Sequence, residues 1–362
     1  MEDTNKKPVA WLDGLKAWGI FFVVTGHAFG AACHLSTGLT QQVMEGFYKY
    51  IYAFHMPLFF FIAGITFRSQ LPFLPFVKKK ACRLLIPYFV FGAMSILAYC
   101  LFSGAIFKCL ATGSTTAYYE GKGGVTYWQM VLNLFLGGWS LNWFVYNSVL
   151  WFIPVLFSLE LLFYHVDRYG SRLLLMAVIV CAVPLGWWLR YHTVFPMVWG
   201  VKLSLFYLPY FALGRIFGIR TILPARLPFQ WRQGLAWVAL LVSGAVAVLN
   251  PWQYLTGFPA VSLTMLSACF CIISWVNFCQ VYSSSSFAVS YIGASTLGIM
   301  LMHKFPLLFI QNYFPPTRHL FSQSVGVAMA ACLLVSLIAM GLSIGGCVII
   351  RRTMPSLLGE SK

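Results

Sequence analysis

Acidic side chains are nearly missing from this chain. Asp and Glu together number 8 in 362 residues, against 24 Lys and Arg, and all charged residues amount to 9%. A soluble domain carries about 25%, so this chain cannot form a water-exposed globule. With 60% hydrophobic residues and a mean hydropathy of +0.80, it reads as an all-α polytopic membrane protein. Other absences narrow the chemistry. None of the 10 cysteines stands in a CxxC pair, so they read as small buried hydrophobes, with only Cys33 and Cys109 placed to pair outside. Neither HxxxH nor HExxH occurs, so no metal site is expected. The basic residues are scattered among apolar segments and form no soluble module, which argues against a nucleic-acid partner. The GKGG at 121–124 lacks the spacing of a phosphate loop. No internal repeat is visible, and the chain reads as one membrane domain, 1–362.

What is present is a series of apolar runs. At about 20 residues per crossing, about ten transmembrane helices are expected, near 9–31, 47–67, 84–107, 143–164, 173–190, 195–217, 233–250, 257–280, 287–310 and 324–349. Lys6 and Lys7 before the first run resemble the start of a signal sequence, but Asp13 and Lys16 interrupt it, and an uncleaved first helix is expected. Alternating the loops leaves only Lys49, Lys108, Lys122, Arg190, Lys202, Lys304 and Arg318 on the side opposite the N-terminus. That asymmetry predicts both termini in the cytosol. Residues 108–142 read as an external loop followed by an interfacial or re-entrant helix, because WQMVLNLFLGGWSLNW is too short and interrupted to span.

The run 11–31 carries Asp13, Lys16 and His27. On a helix, Lys16 and His27 fall about 20° apart in azimuth and roughly 16 Å apart along the axis, with Asp13 on the same side. A polar stripe is therefore expected across the bilayer, and a charge in hydrocarbon costs at least about 2.5–3.5 kcal/mol, so function is the default reading. Asp13 is expected to pair with Lys16 or with the inner basic residues. His55 and His303 should lie at the depth of His27, on the external side of the midplane. Imidazole takes and gives protons near neutral pH, as group transfer to a hydroxyl requires. On the cytosolic side, Lys80 and Arg83 in KKKACRLLIPY form a candidate phosphate clamp, with Arg68, Arg172, Arg215 and Arg220 as further candidates. An inner anion site, outer histidines and a joining stripe suggest an anionic cytosolic donor and an external acceptor. A transporter or flippase of an anionic or glycolipid solute is the alternative, for which broken helices in corresponding halves are expected.

Five motifs occur in register over about 10–350. LDG precedes Lys16, which is followed by ten residues and then His27; FHMPLFFFIAG follows at 54–64; Lys80-x-x-Arg83 precedes Pro87; LWFIPVLF lies at 150–157 and STLGIMLMH at 295–303. Together they resemble the membrane acyltransferase-3 family, and the second motif is similar to its sugar O-acetyltransferase branch of fucose 4-O-acetylase-like proteins. The resemblance implies a multi-pass enzyme of the bacterial inner membrane. It would move an acyl group, usually acetyl, from cytosolic acetyl-CoA to a hydroxyl of an external or lipid-linked glycan. By position, His27 would be the catalytic base and Lys16 the basic partner in the donor channel. Lys80 and Arg83 would contact the coenzyme A phosphates, and His55 and His303 would sit by the acceptor. A lysine at 16 replaces the commoner arginine.

Overall fold

The computed structural model describes residues 9–103, 127–137, 147–193, 198–223, 227–250, 257–283 and 286–360. These residues form helices and turns, with no strand among them. In chain order the helices are α1 (Ala10–Leu35), α2 (Gly38–Thr66), α3 (Phe73–Ser103), α4 (Tyr127–Phe135), α5 (Phe152–Tyr169), α6 (Arg172–His192), α7 (Val201–Phe217), α8 (Phe229–Leu249), α9 (Phe258–Tyr282), α10 (Phe287–Ala294), α11 (Thr296–Met302), α12 (Lys304–Tyr313), α13 (Pro315–Phe321) and α14 (Val325–Thr353).

Eight of the described helices are long and apolar enough to cross a membrane, and a ninth crossing results if the bent pair 287–313 is one span. The span expected at 195–217 is the 17-residue α7, preceded by the 3-10 turn Val198–Gly200. At 1.5 Å per residue α7 alone covers about 25 Å, short of a hydrocarbon core of about 30 Å. A lipid-facing backbone must satisfy its own hydrogen bonds, which is why each apolar run is helical.

The two helices that carry most of the site are packed through small residues. α1 and α2 form a hairpin around Ser36 and Thr37, where Gly38 takes φ +58°. α2 then crosses α7 backbone to backbone: a Cβ on Gly64 would stand 1.9 Å from Phe211 O, and one on Gly214 2.0 Å from Phe61 O. Without a hydrophobic force between helices in lipid, close approach of this kind is what holds them.

The ninth predicted span is broken. α10 and the α11–α12 segment meet at Ser295 with a bend of 61°. The break is not at any of the prolines. Arg351, from α14, donates to Ser295 Oγ at 2.7 Å and to Ala294 O at 3.3 Å, and is itself held by Glu360 at 2.8 Å. The backbone carbonyl freed by the bend is thus taken up by a cation from the far end of the chain.

Of the stretch 108–142, the nine-residue α4 lies within the segment read as too short to span, with Met130, Asn133 and Leu134 buried. Tyr88 on α3 donates to Leu134 O at 3.0 Å, and Trp199 N donates to Leu136 O at 2.8 Å. The loop before α4, with Cys109, lies outside the described residues.

Candidate functional site

Two cavities lie one above the other along α1. The first, about 420 Å³, is lined by Lys16, Lys80, Arg83 and Glu160 together with Thr66, Thr296 and apolar residues that include Phe59 and Phe152. Three of the expected donor-site residues, Lys16, Lys80 and Arg83, therefore converge. Asp13 pairs with Lys16 at 3.4 Å, as its spacing implied, and accepts from Ser290 Oγ at 3.2 Å, which ties α1 to α10. Lys80 is held by Glu160 at 2.5 Å and lies 5.5 Å from the Phe67 ring centroid and 5.6 Å from that of Phe76. Glu160 escaped the sequence reading, although a lone acid in IPVLFSLELL is itself an intramembrane charge. The other arginines do not line this cavity. Arg215 is bound to Asp167 at 2.6 Å, Arg68 donates to Ile65 O and Phe67 O, and Arg220 borders a separate apolar groove; the Arg172 side chain lies outside the described set.

The second cavity, about 410 Å³, is lined by His27, His55, Tyr52 and Arg190, with Ser148, Thr264 and the rings of Trp151, Tyr191, Phe206, Tyr207 and Tyr210. His303 joins from behind: its buried ring stacks on His27 at 5.6 Å with 25° between planes. The three histidines are thus one cluster, at the common depth read from their places in the helices. His27 Nδ1 is met by the Tyr52 hydroxyl at 3.0 Å and by Lys304 Nζ at 3.3 Å. The Tyr52 ring packs on His55 at 4.7 Å, and His55 Nδ1 is 2.8 Å from Ile51 O. Tyr52 and Lys304 were not read as site residues. Tyr52 stands three residues before His55, one helical turn away and on the same side, and Lys304 had been counted only for topology.

The stripe between the two cavities is not continuous. Among the described residues none lines both. Between Lys16 and His27 the same side of α1 carries Gly19, Ile20 and Val23; the Phe59 ring of α2 stands against Gly19, and Phe152 of α5 packs on Phe59 with ring centroids 6.2 Å apart. The expected chain of ionisable groups is replaced there by a thin apolar wall.

A bundle with a basic pocket at one end and an imidazole cluster at the other, separated by that wall, is a multi-pass membrane protein with two chemically unlike cavities. The family model described as "Acyltransferase domain" matches residues 9–352, and the chain belongs to this acyltransferase-3 family. It is therefore an acyltransferase, which displaces the transporter or flippase reading. Comparison with curated proteins and with solved structures finds no match.

Proposed function

We propose that the protein transfers acetyl from acetyl-CoA to a hydroxyl of a glycan or lipid-linked sugar, across a bacterial inner membrane. The observation that carries this is the pair of cavities, one basic and one rich in histidine, meeting at a single apolar wall. On this reading the basic cavity and both termini face the cytosol. The coenzyme A phosphates lie on Lys16, Lys80 and Arg83, and its thioester reaches through the wall toward His27. The acceptor rests against the aromatic side walls, with His55 beside it and His303 behind.

In the His27 tautomer with hydrogen on Nδ1, that N–H donates to the Tyr52 oxygen, leaving Nε2 as the base. Nε2 takes the acceptor's hydroxyl proton while the oxygen attacks the thioester carbonyl. The carbon–sulfur bond breaks, and the leaving thiolate takes the proton back from His27 Nε2, which gives free coenzyme A and the neutral imidazole. Tyr52 positions the ring through its hydrogen bond to Nδ1 and does not touch the reacting atoms.

Acceptor-dependent thiol release by the purified protein tests this, together with mass spectrometry of envelope glycans. A positioned proton-transfer group contributes about 10²–10⁴-fold, so His27→Ala should lose at least that much turnover and still bind acetyl-CoA. A variant that turns over at the wild-type rate would overturn the assignment.

A further inference from the structure

Arg190 lines the histidine cavity, although nothing in the proposed reaction uses it. It sits near the end of α6, half-buried, with its guanidinium carbon 4.6 Å from the Phe206 ring centroid and 5.4 Å from that of Tyr191. Tyr207 lines the same cavity. Lys202 adds a second positive charge nearby, its Nζ tied to Thr193 O at 2.6 Å. The carboxylates among the described residues are Asp13, Glu45, Glu160, Asp167 and Glu360, and each lies on another cation: Lys16, Lys49, Lys80, Arg215 and Arg351. None is spent on Arg190.

A guanidinium in a membrane-embedded pocket is costly unless an anion meets it, and Arg offers a planar fork that fits carboxylate or phosphate. Here the guanidinium lies over two aromatic rings, which restrains it and lowers the entropy lost on binding. The cavity volume, about 410 Å³, falls in the range of small-ligand sites, roughly 300–1,000 Å³. We propose that the acceptor is an anionic sugar, bearing a carboxylate or phosphate that Arg190 holds while one of its hydroxyls faces His27. This rests on the acyltransferase reading of the same cavity. A neutral sugar would leave the guanidinium without a counter-charge among the described residues, so the site would select against it.

The test is binding and turnover by the full-length protein in lipid nanodiscs, with methyl glucuronide, glucose 1-phosphate and methyl glucoside as probes. At least one anionic probe should bind at least tenfold more tightly than the glucoside, and the stronger of the two identifies the anion. Arg190→Gln should lose at least tenfold in affinity for that probe with its glucoside affinity unchanged, and Arg190→Lys should keep part of the preference. His27→Ala should keep the preference for the anionic probe over the glucoside. Equal binding of the three probes, no binding of either anion, or an Arg190→Gln variant with undiminished preference would each overturn the proposal. Loss of the His27 base role would show separately, as wild-type turnover by His27→Ala with the binding preference intact.

Discussion

Gly19 is where the two-cavity arrangement can be broken at the wall, away from the charged residues of one cavity and the histidines of the other. An added Cβ there would meet Phe59 Cζ at 3.1 Å and Leu58 Cδ2 at 3.3 Å. Those are ends of side chains, so Gly19→Ala asks the ring to yield by a few tenths of an ångström. Gly19→Leu places three further carbons between α1 and the Phe59 and Phe152 rings, where a thioester must pass to reach His27. Reacting atoms need to come within about 3–3.5 Å, and a misplacement of about 1 Å costs about 10²-fold. That loss corresponds to about 2.7 kcal/mol of barrier. Gly19→Leu should therefore lower acceptor-dependent coenzyme A release by at least about 10²-fold, and Gly19→Ala by less than about tenfold. Binding of adenosine 3′,5′-bisphosphate, a probe for the basic cavity, should be unchanged in both. Wild-type turnover in Gly19→Leu would mean that the reactants do not meet through this wall. A simultaneous loss of nucleotide binding would mean that the residue supports the fold instead.

Two further outcomes follow from the packing. Glu160 is buried against Lys80, with side-chain exposures of 6% and 18%, and stranding one member of a buried pair costs about 3–5 kcal/mol. Glu160→Ala should melt well below the wild type, whereas Lys80→Met with Glu160→Leu should regain most of the lost stability and still fail to bind the nucleotide; equal melting of the single and double variants would remove the buried-charge argument. At the α2–α7 crossing, ordinary contact begins at 3.4 Å, so Gly214→Ala forces the helices apart by roughly 1.4 Å. Its yield of folded protein from detergent should collapse, while Gly341→Ala on α14, with nothing within 4 Å, should leave the yield unchanged.

The helix pattern was legible because hydrocarbon permits little else: long apolar runs must be helices, and the spacing of Asp13, Lys16 and His27 fixed their common side. The meeting of His27, His55 and His303 followed from their positions along alternating spans. Periodicity places residues on a helix, however, and says nothing about what other helices push against them. The apolar wall depends on Phe59 and Phe152, which stand far from Lys16 in sequence. The bend at Ser295 has no proline to announce it and depends on Arg351, 56 residues away. Lys304 and Arg190 looked like topology charges because a loop count treats every cation at a helix end alike, whether it faces water or a pocket.

The clasp of Arg351 on Ser295 and Glu360 also has a practical side. The tail turn Pro355–Leu358 packs beside α3, where a Cβ on Gly359 would stand 2.1 Å from Arg83 O. These tail residues therefore back onto Arg83, which lines the basic pocket. A purification handle or fluorescent reporter fused just behind them would tug on the hinge and on the donor site together, so labelled versions of this enzyme should carry their cargo at the opposite terminus.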